Sequence, residues 1–164
     1  MEEEKMSSSN SCDDQRQSIY LKIEYCDDGD VKLLLRARAP YFLSQGTSYF
    51  NLEYLSKSVD AFFQYPISKN DHPIIVGGYL SDDGSTVIEE HVYISVVPID
   101  VSGHLRMTVK TFTPEPRFGD IGIGSGGKCD YSLNYEGLKN FAELARKLIS
   151  GEVLEMEFDN FDCT

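Results

Sequence analysis

Two segments of this sequence share one order: a short β-like run, an asparagine and a helix-like pattern. Asn51 is followed by Leu-Glu-Tyr-Leu and Asn134 by Tyr-Glu-Gly-Leu, so glutamate and leucine occupy the same positions after each asparagine. An asparagine side chain there can accept a hydrogen bond from an N–H group of the first helical turn. The glutamate favours the positive end of the helix dipole. We therefore predict two helices, each entered from a strand through an asparagine cap.

Apolar residues recur at helical spacing after each asparagine, which predicts one buried face on each helix. Pro66 is expected to end the first helix, and Gly151 to end the second in a left-handed conformation. Phe50 and Leu133, which precede the asparagines, are expected to pack on the first leucine of each helix. The predicted buried faces are Leu55, Val59, Phe62 and Phe63 in the first helix, and Leu138, Phe141, Ala142, Ala145, Leu148 and Ile149 in the second.

The rest of the chain alternates between apolar and polar residues with a period of two, which is typical of half-buried strands. Residues 19–25 and 31–39 alternate on either side of an Asp-Asp-Gly turn, and residues 92–96 and 105–109 flank Ser102-Gly103. Such turns favour antiparallel hairpins. Shorter β-like runs occur at 47–50, 74–80, 130–133 and 153–158. We predict an α+β fold, with an antiparallel sheet of about six to eight strands and the two amphipathic helices packed on it.

Charge and composition predict one folded domain with two acidic ends. The chain has 164 residues and a net charge of −12, and residues 152–164 contain five acidic residues and no basic one. The first 16 residues are acidic, rich in serine and poor in side chains that a core could bury. We therefore predict a disordered tail at 1–16, a single domain at 17–158 and a frayed acidic C-terminus at 159–164.

The sequence also disfavours several classes of protein. No apolar run approaches the ~18 residues that a membrane span needs. The N-terminus lacks the apolar core of a signal peptide, so we expect a cytoplasmic protein. No basic patch is concentrated in the sequence, which argues against nucleic-acid binding. The four cysteines have no CxxC spacing and are expected to be reduced, with Cys26 and Cys129 as inert, buried thiols.

A glycine-rich segment matches two nucleotide-binding patterns. Residues 122–128, Gly-Ile-Gly-Ser-Gly-Gly-Lys, satisfy GxxxxGK, and the first six of them satisfy GxGxxG. A phosphate loop needs a helix immediately after it, but strand-like residues follow here and Cys129 replaces the usual serine or threonine. We therefore expect an irregular, flexible loop over 113–128. A small ligand-binding or nucleotide-binding domain or enzyme that uses residues 119–128 stays open as an alternative.

Acidic residues cluster at two predicted turns and at one strand. Neither turn contains the twelve-residue ligand series of a calcium loop, so both are interpreted as hairpin turns, and Glu89-Glu90 as a solvated stretch. A basic protein partner could contact these carboxylates. The candidate partner-binding residues are Asp27, Asp28, Asp30, Asp82, Asp83, Glu89 and Glu90.

The histidines do not predict a metal site. His91 and His104 could share a face of neighbouring strands near Glu89 or Arg106, but no third ligand stands out at a fixed spacing. We interpret both as solvated strand residues. No residue pattern supports a nucleophile–base pair that includes Cys129. We accordingly predict no catalytic residue, no metal and no cofactor.

Two stretches of the chain resemble the WapI-type immunity proteins, small bacterial antitoxins encoded beside a toxin. They are HVYISVVPIDVSGHLRMTVKTF at 91–112 and CDYSLNYEGLKNFAELARKL at 129–148, and the resemblance extends over residues 30–150. In that family a strand, a glycine turn and a second strand lead to a polar cap and a final amphipathic helix. The matching positions here are Ser102-Gly103, Asn134, Leu138, Phe141 and Leu148.

The resemblance implies a non-enzymatic protein that neutralises a cognate toxin domain by direct contact. The acidity of the chain would suit a basic toxin such as a nuclease, because complementary charge speeds association. A structural or adaptor subunit is a further possibility, and the oligomeric state stays open.

Overall fold

The structure, a computed structural model, describes residues 15–116 and 122–162. Within these ranges the chain forms eight strands and two helices, which confirms the predicted α+β fold with antiparallel strands. In chain order they are β1 (Ser18–Tyr25), β2 (Asp30–Ala39), β3 (Phe42–Asn51), α1 (Leu52–Ala61), β4 (Ile74–Leu80), β5 (Val87–Pro98), β6 (Leu105–Pro114), β7 (Gly124–Leu133), α2 (Tyr135–Ile149) and β8 (Glu155–Phe158).

The strands divide into two antiparallel sheets of four strands each. Sheet A has the order β3-β2-β1-β8, and sheet B has the order β4-β5-β6-β7. In sheet A, Leu21 of β1 pairs with Leu35 of β2 on one side and with Met156 of β8 on the other. All three side chains are buried, so the period-two pattern of the sequence becomes one apolar face.

The helix pair spans both sheets. Helix α1 contacts β3 and β4, whereas α2 contacts β1 and β8. The two helices also contact each other, with the rings of Phe62 and Phe141 5.7 Å apart and Arg146 donating to Asp60 at 2.8 Å. The buried faces of the helices therefore belong to one core together with the inner faces of the two sheets.

The predicted asparagine caps are confirmed. The Asn51 side chain accepts hydrogen bonds from the N–H groups of Glu53 and Tyr54 at 3.1 and 3.2 Å. The Asn134 side chain accepts from Gly137 N–H at 2.9 Å. Each cap satisfies N–H groups that have no carbonyl partner within the helix.

The predicted helix ends are confirmed for α2 and wrong for α1. Gly151 has a positive φ of 79° just after Ser150, the C-cap of α2, as expected. Helix α1 ends at Ala61 rather than near Pro66. Phe62 lies past the helix end and is still buried, because the chain turns its ring onto α2.

Strand β3 lies across sheet B. Gly77, Val92, Thr111 and Gly127 pair directly with one another and form a row perpendicular to the four strands of that sheet. Successive inward residues of β3 contact this row, so the two sheets cross at a steep angle, as in orthogonal packing. The contacts are Phe50 and Ser48 with Gly77, Gly46 with His91, Ser44 with Thr111, and Phe42 with Gly127.

Small residues make this close crossing possible. A Cβ atom on Gly46 would overlap the carbonyl oxygen of His91, and one on Gly127 would overlap the ring of Phe42. Hydrogen bonds tie the two sheets together beside these glycines: Thr111 donates to Ser44 Oγ at 2.6 Å, and Thr113 donates to the carbonyl of Gln45 at 2.7 Å. The crossing is therefore tight, with hydrogen bonds at its centre and the rings of Phe42 and Phe50 at its two ends.

Two sequence predictions fail at this crossing. Strand β3 covers ten residues rather than 47–50, because its inward positions hold serine and glycine, which give no apolar alternation. The predicted loop at 113–128 is also wrong, since β6 continues to Pro114 and β7 begins at Gly124. The glycines of β7 hide its strand pattern for the same reason. Residues 117–121 of that predicted loop lie outside the described residues.

The predicted frayed C-terminus is wrong as far as Asp162. Phe161 is buried, with its ring 4.3 Å from that of Tyr131 and 5.0 Å from that of Phe158. Asp162 N–H donates to the carbonyl of Ser132 at 2.8 Å. Phe161 stands alone among polar and acidic residues, so no periodic hydrophobic pattern in the sequence predicts its burial. The predicted tail at 1–14 and residues 163–164 lie outside the described residues.

Replacing Gly46 with alanine tests the crossing. The Gly46→Ala variant is expected to lose about 1–3 kcal/mol of unfolding free energy, because the new Cβ meets backbone that cannot move independently of the sheet. Urea denaturation measures the loss. The control is Gln45→Ala on the exposed side of the same strand, with an expected change within about 0.5 kcal/mol. An unchanged midpoint for Gly46→Ala would mean that the sheets lie farther apart.

Replacing Phe161 tests the corrected C-terminus. The Phe161→Ala variant is expected to lose about 3 kcal/mol or more, as for other buried phenylalanines. The neighbouring exposed residue provides the control as Asn160→Ala, which should unfold like the wild type. Equal denaturation midpoints for the two variants would show that Phe161 does not contribute to the core.

Candidate functional site

The turn between β1 and β2 carries three free carboxylates. Asp27, Asp28 and Asp30 are exposed, and none of their side chains forms a hydrogen bond or ion pair with any residue that the structure describes. The backbone of the turn is nevertheless fixed. Cys26 N–H donates to the Asp30 carbonyl at 2.9 Å, and the N–H of Leu52 donates to the Gly29 carbonyl at 3.2 Å. This acidic turn is a rigid, negatively charged feature beside the start of α1.

The turn between β4 and β5 uses one of its two aspartates for its own structure. Asp83 accepts hydrogen bonds from the Ser81 hydroxyl at 2.6 Å and from the Ser85 hydroxyl and N–H at 2.7 and 3.0 Å. These bonds favour the carboxylate and lower the pKa of Asp83 to about 2. The side chain of Asp82 is exposed and has no partner in the described part of the chain. Asp82 is therefore available to a partner, and Asp83 shapes the turn.

Glu89 is not part of a solvated stretch, which corrects the sequence prediction. Its side chain is only 9% exposed, and its Oε1 lies 2.7 Å from Nε2 of His91, whose side chain is 6% exposed. The other oxygen of Glu89 accepts from Gly122 N–H. The rings of Tyr79 and Phe112 lie beside the His91 ring, at 4.4 and 5.9 Å. The prediction of a solvated His91 is thus also wrong.

A β-bulge explains both errors. Gly77 pairs with Val92, and the next residue, Gly78, pairs with Glu90, so His91 has no partner on β4. A bulge of this kind changes the phase of side-chain alternation along the strand. Glu90 keeps its expected exposure and forms an ion pair with Lys110 at 3.1 Å.

The structure therefore separates the seven candidate residues. Glu89 and His91 form a buried pair that ties β5 to the start of β7, and Asp83 and Glu90 have partners of their own. Four of the candidate carboxylates form no hydrogen bond or ion pair with a described residue. No hydrogen bond or ion pair joins the two turns that carry them. The four carboxylates are Asp27, Asp28, Asp30 and Asp82.

The glycine-rich segment does not form a phosphate loop. Gly124 to Lys128 lie within β7 and pair with β6, and helix α2 begins only at Tyr135. The Lys128 ammonium lies 3.3 Å from the carboxylate of Asp130. Cys129 is buried, and burial raises the pKa of its thiol, as expected of an inert cysteine. Cys26, by contrast, is exposed, which corrects its predicted burial.

An open cleft of about 820 Å³ was not predicted. It lies between the segment after α1, the turn between β5 and β6, and the start of α2. In that turn, Asp100 Oδ2 lies 2.6 Å from His104 Nδ1; this hydrogen bond lowers the pKa of Asp100 and raises that of the exposed His104. The cleft is formed by three segments that are distant in sequence. Of these, only the Ser102-Gly103 turn could be predicted from neighbouring residues. The lining residues include Tyr65, Pro66, Ile67, Lys69, Ile99, Val101 and Tyr135.

Two absences hold for residues 15–116 and 122–162. No group of three His, Cys, Asp or Glu side chains is arranged so that it could hold a metal ion. Neither α1 nor α2 is long and apolar enough to cross a membrane.

Comparison with known proteins adds no relative. The sequence matches no protein-family model, and a search of curated proteins gives no match.

Removing the Glu89 carboxylate tests the buried pair. The Glu89→Ala variant is expected to lose about 1–3 kcal/mol of unfolding free energy, because the buried His91 ring loses its hydrogen-bond partner and Gly122 N–H loses its acceptor. Chemical denaturation measures this loss. Glu90→Ala on the same strand is the matched control and should lose less than about 1 kcal/mol, since its ion pair is exposed. Equal losses in the two variants would contradict the buried position of Glu89.

Proposed function

We propose that this chain is a non-enzymatic binding protein that resembles the WapI-type immunity proteins and neutralises a basic toxin domain in the cytoplasm by direct contact. The observation that carries the proposal is the set of free carboxylates Asp27, Asp28, Asp30 and Asp82 on two exposed turns. They belong to a chain with a net charge of −12.

The rigid backbone of the β1–β2 turn favours such a role. Its backbone hydrogen bonds at Asp30 and Gly29 constrain the main chain of the turn before a partner arrives, so that less backbone entropy is lost on binding. Each exposed ion pair would contribute less than about 1 kcal/mol to affinity. The main effect of the acidic turns would instead be faster association and selection of a basic partner.

The experiment is coexpression and copurification with the toxin domain encoded by the adjacent gene. The proposal requires a stable complex and protection of the cell from the toxin. The turn variant carries Asp27→Asn, Asp28→Asn and Asp30→Asn, and its association rate at low salt should fall about tenfold, because long-range attraction is removed. Rapid-mixing kinetics at low and physiological salt measure the change.

A variant with the same change in net charge provides the control. It carries Asp71→Asn, Glu136→Gln and Glu143→Gln, which are exposed positions outside the two turns. Its association rate should fall less than about twofold. Equal slowing in the two variants would contradict a role for the turn, and failure to bind the neighbouring toxin domain would contradict the proposal itself.

Nucleotide binding has less support than binding of a protein partner. A phosphate loop would require residues 119–128 to form a loop before a helix, whereas Gly124 to Lys128 lie in β7. A structural or adaptor subunit stays a prediction, which sedimentation of the purified protein for self-association tests.

A further inference from the structure

The outer face of sheet A differs in charge from the rest of the surface. Along β2, Val31, Leu33, Leu35 and Ala37 point into the core, and alternation places the intervening residues on the opposite, outer face. No described helix or strand covers that face. We name it the cationic face and define it by Lys32, Arg36, Arg38, Leu43 and Tyr49. Glu24 lies on the same side of the sheet, opposite Lys32, and forms an ion pair with Lys22 at 3.8 Å.

The cations of β2 have no acidic partner. No described carboxylate lies within 4.0 Å of the charged groups of Lys32, Arg36 or Arg38. The Arg36 guanidinium donates to the Gln45 side chain at 3.1 Å and lies 5.2 Å from the centre of the Tyr20 ring. Elsewhere, cations such as Lys57, Lys110 and Arg146 form ion pairs at 2.8 to 3.1 Å. Lys69, Arg106 and Lys147 also have no ion pair with a described residue, but they lie on separate segments, whereas β2 places three unpaired cations on one face.

Exposed apolar side chains flank these cations. The strand register places Leu43 opposite Arg38 and Tyr49 opposite Lys32. Leu43 is 63% exposed and Tyr49 is 66% exposed. The first and the last cation of β2 thus each have an exposed apolar neighbour on β3. This combination suits a segment that bears both carboxylates and apolar side chains.

We propose that the cationic face binds an extended acidic segment of a partner protein. Alternate side chains of an extended chain lie about 6.6–6.8 Å apart, which is also the spacing of alternate residues along β2. Carboxylates at positions i, i+2 and i+6 of the partner would therefore reach Arg38, Arg36 and Lys32 together. Leu43 and Tyr49 would cover apolar side chains of the same segment.

The size of the face supports a short segment rather than a folded domain. Three strands at about 4.8 Å spacing and eight residues at about 3.3 Å give an area of roughly 15 by 25 Å. This is about half of the ~800 Å² that each partner buries in a standard protein–protein interface.

The charges around the face favour a peptide over a nucleic acid. Glu155 and Glu157 of β8 border it next to Tyr20, which donates a hydrogen bond to Glu155 at 2.7 Å. A single-stranded nucleic acid carries a charge at every nucleotide and would extend past the cations onto these carboxylates. The net charge of −12 repels both ligands at long range, and a strand of twelve nucleotides, which carries more charge than the peptide, is repelled more strongly.

This proposal is independent of the proposed immunity function. The acidic turns call for a basic partner, whereas the cationic face calls for an acidic one.

Fluorescence anisotropy of a labelled peptide tests the inference. The probe is a twelve-residue peptide with glutamate at positions 3, 5 and 9, tyrosine at positions 1, 7 and 11 and serine elsewhere, so that its carboxylates and rings share one face of an extended chain. It is titrated with the full chain at 50 mM salt, and a peptide with lysine in place of each glutamate is its control. We expect the acidic peptide to bind at least tenfold more tightly than the basic one. Raising the salt to 200 mM should weaken binding severalfold, because exposed charges are screened.

Matched variants locate the site. The face variant, Lys32→Gln with Arg36→Gln and Arg38→Gln, should bind the acidic peptide at least tenfold more weakly than the wild type. The control, Lys57→Gln with Lys139→Gln and Lys147→Gln, has the same change in net charge on the helices and should change binding less than twofold. A second variant, Tyr49→Thr, removes an apolar contact without changing the charge and should weaken binding about threefold. Circular dichroism verifies that each variant is folded.

Three results would overturn the inference. The first is undetectable binding of the acidic peptide to the wild type, and the second is an equal loss of peptide affinity in the face and control variants. The third is wild-type affinity for the peptide in both the face variant and the Tyr49→Thr variant. Tighter binding of an oligothymidylate of twelve nucleotides than of the acidic peptide would reassign the face to nucleic acid.

Discussion

Strand β3 joins sheet A to sheet B by crossing closely over it. Face-to-face sheets usually pack about 10 Å apart, with large side chains between them. At this crossing the central inward residues of β3 are Ser44, Gly46 and Ser48, with Phe42 and Phe50 at the two ends, and the opposing row contains Gly77 and Gly127. The strands approach closely enough for Thr111 and Thr113 to donate hydrogen bonds to β3. Because the sheets are pinned here at a steep angle, the helix pair can contact both of them and complete one core.

The same crossing organises the polar features nearby. The bulge at Gly77 and Gly78 lies in the row that β3 crosses, and it leaves His91 without a partner on β4. Glu89 forms hydrogen bonds with both the His91 ring and the Gly122 N–H, so the buried His91 ring has a polar partner. Beyond the bulge, β4 and β5 continue into the turn that Asp83 stabilises.

Strand alternation also separates charge of opposite sign on a strongly acidic protein. The first residue of β2 is Asp30 in the acidic turn, and the outer positions that follow include Lys32, Arg36 and Arg38. Net charge alone gives no indication of this arrangement. A basic patch is dispersed in sequence when it forms on alternate residues of a strand, which is why the cationic face is visible only once the strands are paired.

Features that depend only on neighbouring residues could be predicted from the sequence. The asparagine caps, the apolar faces of both helices and the hairpin turns follow from hydrogen bonds or periodicity within a few residues. The tertiary structure alone decided the division into two sheets, the strand conformation of Gly124 to Lys128, the burial of Glu89 and His91, and the packing of Phe161. Each of these depends on a partner far away in sequence: Phe42 covers Gly127, Gly122 binds Glu89, and Tyr131 stacks on Phe161. Glycines and isolated aromatic residues give no periodic hydrophobic pattern, so their positions in the fold depend on the residues that pack against them.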